Sequence, residues 1–510
     1  MGYKELEFKL PDSSTMEDLE KAIKKSLKSE NYKFTILKKS IDARKKPRIE
    51  WLYRVGVVSP VLAGGEPPVN PTVHPEKTRK SKKVVVVGTG PAGIFAADYL
   101  SLSGFQVTVL ERGSPVELRR TKLDEWEEGG AFSTENNYSF GEGGAGTFSD
   151  GKLSSRTKSI SPERNYIFKK FISVGGPGEI EYMTHPHIGS DNLYSMTRNL
   201  RKKLQAQGVE FLFHSKVIDL VIKEGKVAGA VTQNGEIGGE EFIFATGHSA
   251  YETYRMLIRR GIPFRSKNFA LGFRAEHLQE MINFAQWGVK SLPGVKAAEY
   301  RLANQNENGN GVYTFCMCPG GKVVPAAAYD DINIVNGMSL YQRDSIWANA
   351  AVVTGVNLGQ LLKREVSAAE SLDWLEQIER SFQNPKAPFK APAMTIHDFV
   401  HGEKGGKLPA SSFCLGLEPS DLSVMLPEEI VKDLREGILI FNKKIKGYED
   451  GLLLGLESKT SSPIQVERNP EEYWAGYRNL YVVGEGSGWS GGIVSSAADG
   501  LRVAQMIGKK

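Results

Sequence analysis

The stretch KKVVVVGTGPAGIFAADYL, beginning at Lys82, constrains this chain more than any other. Its run of valines reads as a strand covered on both faces, as in a parallel sheet. Gly88, Gly90 and Gly93 then form G-x-G-x-x-G at the turn into a helix, with Pro91 and Ala92 inside the turn. The first glycine permits the tight turn and the second lets backbone approach a pyrophosphate. The third lets the helix pack on the strand, while the helix start offers free N–H groups to phosphate. Glu111 ends the next strand, 18 residues after Gly93, where an acid accepts from ribose hydroxyls. The expectation is a dinucleotide site.

This motif starts late because a separate module precedes it. Residues 1–60 read as a small α+β domain. A charged alternating strand is followed by the helix SSTMEDLEKAIKKSLK, with Leu19, Ile23 and Leu27 on one face, and by two more strands. Residues 61–83, rich in Pro, Gly and Lys, read as a linker with few contacts across it. Residues 1–83 hold 19 Lys and Arg against 11 Asp and Glu, a surplus of +8, so the rest carries −3 of the total +5. A basic appendage suits RNA or another acidic partner as well as a solvated surface.

Length argues for several domains, and 40% hydrophobic with 25% charged residues suits a globular chain. No apolar run approaches the ~18 residues of a membrane span. The first residues lack a signal-peptide core, and three cysteines are too few for a disulfide framework. A cytoplasmic protein without membrane association is expected.

Beyond Glu111, residues 113–190 read as glycine-rich and irregular. A helix with an Asp191 cap follows, then short strands. Four features favour FAD over NAD. Glu111-Arg112 closes the second strand. The loop GEGGAGTFSDGKL (141–153) brings Gly143, Gly144, Gly146, Thr147, Lys152 and Leu153 toward pyrophosphate and flavin. The strand FIFATG ends in Ala245, Thr246 and Gly247, and Val217 in the preceding strand run is placed with them. The strand LYVVGEGSG supplies Gly484 and Glu485, and the helix after Gly491, Gly492 and Ile493 aims its positive end at the flavin.

With these motifs the chain resembles the bacterial family of uncharacterised FAD-dependent dehydrogenases, within the glutathione-reductase-like FAD folds. The resemblance rests on HIGSDNL (187–193), ATGHSAYETYRML (245–257), YTFCMCPGGKVV (313–324), VNGMSLYQRD (335–344), ESKTSSPIQVER (457–468) and GEGSGWSGGIVSSAADG (484–500). It covers nearly everything from residue 84 and, more loosely, residues 1–60. It implies an FAD cofactor and an acid at Glu485, and it names no substrate.

No second strand–GxGxxG–helix unit is legible, so no separate NAD(P)H domain is expected. Neither is there a C-x4-C redox pair after the first helix. Catalytic candidates are Cys316, Cys318, His187 and Arg343. The cysteines could face the flavin, or simply share one face of a strand, since positions i and i+2 project together. Arg274, His277 and Arg343 suit a substrate carboxylate or salt bridges. His248 suits a structural hydrogen bond. His185 and His187 lack further ligands, and no metal site is expected.

The fold class is therefore α/β. A Rossmann-like FAD-binding domain (84–265 and 401–510) carries an inserted mixed α+β substrate domain (266–400), after the N-terminal α+β domain and linker. The expected function is FAD-dependent oxidation or reduction of a small molecule by hydride transfer. A flavoenzyme gripping RNA through residues 1–83 and a non-catalytic flavin scaffold are the alternatives. No oligomeric state follows from the sequence.

Overall fold

The computed structural model describes residues 1–78, 82–155, 157–306, 309–403 and 406–510. Its first unit consists of β1 (Gly2–Pro11), α1 (Met16–Leu27), β2 (Lys33–Lys45) and β3 (Arg48–Ser59). The strands form one antiparallel sheet in the order β1-β3-β2. Thr15 and Asp18 close a capping box at the start of α1. Leu19 and Ile23 are buried and Leu27 packs beside them, facing the alternate β3 residues Trp51, Tyr53, Val55 and Val57.

This unit is docked rather than loosely tethered. The Lys39 N–H donates to the Tyr182 carbonyl at 2.8 Å, and the Thr184 N–H donates to the Lys39 carbonyl at 2.9 Å. Met183 and Val295 pack against the N-terminal core, and Ile49 joins the main core. The Lys46 ammonium caps the Ala285 carbonyl at 2.5 Å. The expectation of few contacts from linker composition is corrected, because composition reports on the connection and not on the faces it joins.

The glycine motif lies between β4 (Lys83–Val87) and α2 (Pro91–Leu102), followed by β5 (Gln106–Leu110). Pro91 opens α2, where its missing N–H needs no partner. The helix is apolar on nearly every side, since residues 92–100 are all buried. β4 is the centre of a six-stranded sheet. Beside it run β5 and Glu210–Leu212 on one side, and Glu241–Phe244, Tyr477–Val482 and Trp474–Ala475 on the other. All but the last pairing are parallel.

Residues 113–190 are more ordered than expected. They include α3 (Val116–Glu127) and a helix at Ser161–Ser173. Both are polar-rich segments with weak periodicity, so the sequence pattern concealed them. The following helix starts at Ser190 after Gly189, and Asp191 lies inside its first turn, accepting from the Tyr341 N–H at 2.9 Å. Asp191 is therefore not the cap.

The inserted domain is built on a seven-stranded sheet, which includes Phe269–Leu278, Gly311–Cys318, Trp347–Val356, Ala391–Thr395 and Leu452–Glu457. It extends past the expected boundary at 400, because Leu452–Glu457 pairs directly with Phe269–Leu278. The segments entering and leaving it, Phe264–Ser266 and Ile464–Val466, pair with each other. The C-terminal contribution to the first sheet starts at Trp474.

A chain starting at residue 81 loses the cover over Met183 and Val295. It is expected to keep its cofactor absorbance and to melt several degrees below the full chain. A colourless product would show that the N-terminal unit supports the cofactor site expected at the glycine motif.

Candidate active site

The glycines divide by what a side chain would meet. A Cβ on Gly88 would lie 2.5 Å from the Ala245 carbonyl oxygen, and one on Gly93 would lie 2.0 Å from that of Gly88. These two are glycine because backbone lies against them. A Cβ on Gly90 meets nothing within 4 Å, and its φ of −66° suits any residue. Its neighbourhood is room for a ligand. Gly247 and Gly492 also face open space, and the nearest atom to a Cβ on Gly491 is a Glu485 carboxylate oxygen at 3.9 Å. Gly144 lies against Gly90, and Gly146 against Pro91 and Ile493. This open strip joins the starts of α2 and of the C-terminal helix Ile493–Lys509, both with free N–H groups.

Arg119 on α3 shapes one wall of the strip. Its side chain is fully buried and donates to the carbonyls of Asn137, Tyr138, Gly141, Glu142 and Gly144, over 2.7–3.2 Å. Burial lowers its pKa to about 10, so it stays charged at neutral pH. Glu142 sits beneath the same loop, paired with Arg201 at 2.9 Å, and burial raises its pKa to about 7. The Gly143 N–H donates to the Thr89 hydroxyl at 3.2 Å, which ties this loop to the glycine turn.

Glu111 is buried at the end of β5. It accepts from the Thr89 N–H at 3.2 Å, from the Thr89 hydroxyl, and from the Gly113 N–H at 3.0 Å. It braces the turn and retains lone pairs for a ribose. Arg112 is spent on Glu135 and Glu252 and stacks over Phe140, so it forms wall and offers no free cation. Val217 follows closely on Ser215, whose N–H donates to the Glu111 carbonyl at 2.8 Å. Leu153 is buried in the core around α2. Thr147 faces Thr197 across a narrow pocket that also touches Thr89, Pro91 and Ile493.

On the far side, the Tyr254 hydroxyl donates to the Gly247 carbonyl at 2.8 Å and accepts from Thr246 at 3.2 Å. A Cβ on Gly486 would strike that hydroxyl. The Gly484 N–H is held by Asp499 of the C-terminal helix at 3.0 Å. His248 departs from expectation. It is buried, yet neither ring nitrogen has a hydrogen-bond partner, and Nδ1 lies 3.6 Å from the Glu485 carboxylate. A buried imidazole with no hydrogen bond beside an open glycine strip leaves two polar atoms available to a ligand there. The open glycines, two helix starts and this orphaned ring fit an FAD. Gly90, Gly144 and Gly146 would take the pyrophosphate side, and His248, Glu485, Gly491 and Gly492 the flavin side.

The catalytic candidates lie beyond the glycine loop. Ser149 donates to the Gly146 carbonyl at 2.8 Å, and Asp150 then pairs with Lys152 at 2.9 Å and bidentately with Arg343 at 2.9 and 3.2 Å. Lys152 also donates to the Met317 carbonyl, which joins this loop to the cysteine segment. The two cysteines do not share a strand face. The register slips between Phe315 and Cys318, and Cys316 adopts a left-handed φ of 45°. A bulge therefore separates them. Cys318 is buried and receives a contact from Arg274, whereas Cys316 is partly exposed. A hydrogen bond from Cys318 and the cations of Lys152 and Arg274 hold the Cys316 pKa well below the ordinary thiol value, against burial. The same bond and burial raise that of Cys318.

Arg274 is fully buried on Glu457, Asn349, Asn336 and the Cys316 carbonyl, so the carboxylate-binding alternative is not its role. His277 is buried against Tyr448, and burial lowers its pKa to about 4. His187 is bridged to Lys152 and bonded to the Tyr341 carbonyl at 3.1 Å. Burial and Arg343 lower its pKa to about 4, leaving it neutral at physiological pH. A wider apolar opening near Leu278, Phe284 and Ile346 lies elsewhere, and its charged residues Glu280 and Lys290 pair with each other.

Gly90→Val is expected to keep the fold and lose at least nine-tenths of bound FAD, read as the ratio of flavin to protein absorbance. Gly93→Ala, which strikes backbone, is expected to lower the melting temperature before any cofactor effect is separable. Equal flavin in Gly90→Val and parent protein would remove the pyrophosphate assignment. Because the folded Cys316 pKa is depressed, the reactive thiolate persists as pH falls below the ordinary thiol range. Iodoacetamide labelling of Cys316 should therefore titrate well below pH ~8.5, and Lys152→Met should move the midpoint upward. An unshifted midpoint in the parent would return Cys316 to a packing role.

Family profiles match along the chain. Residues 82–256 match "Pyridine nucleotide-disulphide oxidoreductase", residues 268–460 match "FAD-dependent protein, C-terminal domain-like", and residues 3–58 match "Domain of unknown function (DUF8436)". A protein of Clostridium beijerinckii (strain ATCC 51743 / NCIMB 8052), described as an uncharacterized protein, is 38% identical over 518 residues, covering 96% of each chain. Among solved structures, L-proline dehydrogenase from P. horikoshii is 13% identical, covers 86% of this chain and 94% of its own, and superposes with a TM-score of 0.35. Glycerol-3-phosphate dehydrogenase from Bacillus halodurans, complexed with FAD, gives 10%, 84%, 65% and 0.37 for the same quantities. The relative that matches along 96% of both chains, together with these two profiles, places this chain in the FAD-dependent oxidoreductase family.

Proposed function

We propose that this chain oxidises or reduces a small molecule by hydride transfer where the glycine strip meets the inserted sheet. The observation that carries the reading is the convergence of open glycines and two helix starts beside the unpartnered His248. When bound, FAD supplies the two-electron chemistry, and the chain supplies binding, orientation and charge.

The chain's own contribution is a set of fixed charges at the loop–bulge junction. Asp150 holds Lys152 and Arg343 in place where the glycine loop meets the inserted sheet, and Glu299 faces Arg343 from the other side at 3.7 Å. Neutral His187 donates through Nε2 to Tyr341, which leaves Nδ1 as the acceptor nitrogen of that tautomer. Arg274 is a positioning residue: it holds the Cys316 carbonyl and thereby the bulge.

Denatured protein is expected to release FAD at about one per chain, identified by chromatography, because Glu111 and the glycine turn suit the adenosine half of a dinucleotide. Release of FMN instead would sink the assignment. No second strand–GxGxxG–helix unit exists among the described residues. Anaerobic NADH or NADPH is therefore expected to bleach the flavin slowly and without saturating at micromolar nucleotide. Fast saturable bleaching would point to a nucleotide site built from other elements.

A further inference from the structure

Two histidines lie one helical turn apart on the short helix Ile396–His401, in the sequence H-D-F-V-H. Positions i and i+4 share a helix face, and the ring centroids of His397 and His401 are 4.5 Å apart. Both rings face Glu449, in the turn Tyr448–Asp450. One Glu449 oxygen, Oε2, lies 3.6 Å from His397 Nδ1 and 3.2 Å from His401 Nε2. We infer that His397, His401 and Glu449 form a divalent-metal site, with zinc as the ion the donors suit best.

The spacing supports this. Zinc binds imidazole nitrogen and carboxylate oxygen at about 2.0–2.2 Å in tetrahedral geometry, so neighbouring donors stand about 3.4 Å apart. The two measured separations straddle that value, and all three donor atoms lie within 4.8 Å of one another. Without an ion, His401 Nε2 and Glu449 form a hydrogen bond at 3.2 Å, whereas the 3.6 Å to His397 Nδ1 is beyond hydrogen-bond reach. Direct pairing therefore accounts for one histidine and leaves the other unbonded to the same oxygen.

The outer partners are also those of a metal site. Metal-bound histidines usually direct the other nitrogen to a carboxylate, and ligating carboxylates are themselves hydrogen-bonded. The second Glu449 oxygen accepts from Asn442 Nδ2 at 2.8 Å, and the Glu403 carboxylate lies 3.9 Å from His397 Nε2, close enough for charge attraction but not for a hydrogen bond. Three donors of mixed nitrogen and oxygen type, with no thiolate, suit zinc and leave a position for water. The histidines are exposed and Glu449 is half-buried, so the ion enters from solvent. The bound metal would clamp the short helix to the turn that carries Tyr448, whose carbonyl anchors His277. The spacing H-x3-H was present in the sequence. Its third ligand, 48 residues beyond His401, was not legible there.

The test uses the full FAD-loaded chain, stripped with chelator and titrated calorimetrically with zinc chloride. The expected result is one zinc per chain with a micromolar or tighter Kd and a rise in melting temperature. His401→Ala and Glu449→Gln should each weaken binding at least tenfold while leaving flavin absorbance unchanged. Asn442→Ala should weaken it less. Absence of binding in the parent would overturn the site. So would parent-like affinity in both His401→Ala and Glu449→Gln, which would locate the ion elsewhere, for instance at the thiols.

Discussion

Arg119 is the interaction on which the cofactor cleft depends. It is a charge buried without a carboxylate in contact, and such burial costs several kcal/mol unless other dipoles replace water. Here five backbone carbonyls do so, and they can do so only if residues 137–144 wrap around one guanidinium. A trans peptide sends its N–H opposite to its carbonyl. The Glu142 carbonyl points inward to Arg119, and the following N–H, of Gly143, points outward to Thr89 of the glycine turn. The buried cation therefore sets the position of one wall relative to the other.

Close backbone approach sets the opposite wall. A Cβ on Gly500 would lie 2.0 Å from the Ala92 carbonyl oxygen, and one on Gly484 would lie 2.9 Å from the Ala92 methyl. The C-terminal helix thus packs on α2 with almost no side chain between them. Nearly four hundred residues separate the two in sequence, yet their starts share one cleft. Asp499 then ties that helix to Gly484, and Tyr254 ties Gly247 to the adjoining loop. Four loops from distant parts of the chain are fastened to one another before any ligand is considered.

The inserted domain meets this frame through Arg274 and Lys152. Arg274 spends its charge on Glu457 and its remaining donors on Asn349, Asn336 and the Cys316 carbonyl, which fixes a bulge that an ordinary strand would not hold. Lys152 reaches the same bulge from the glycine loop. The Cys318 hydrogen bond first, and then the two cations brought together there, hold the Cys316 thiol below its ordinary range.

The sequence by itself determined the local units: the strand–turn–helix of residues 83–102, Glu111 at the end of β5, the small N-terminal domain, and the C-terminal glycines before their helix. Each rests on short-range physics, namely periodicity, capping and the φ demands of glycine, so each was legible within a window of a few residues. Tertiary structure decided what those units touch. It separated Gly88 and Gly93, which backbone requires, from Gly90, which leaves room for a ligand. It turned Arg274 from a candidate carboxylate binder into a buried brace, left His248 without a hydrogen bond, and docked the N-terminal domain through Lys39. It also carried the inserted sheet past residue 400 and brought Glu449 to His397 and His401. Those outcomes depend on pairings between residues tens to hundreds of positions apart. No local pattern encodes such a pairing, because the energy that selects it comes from burial and charge compensation in the assembled fold.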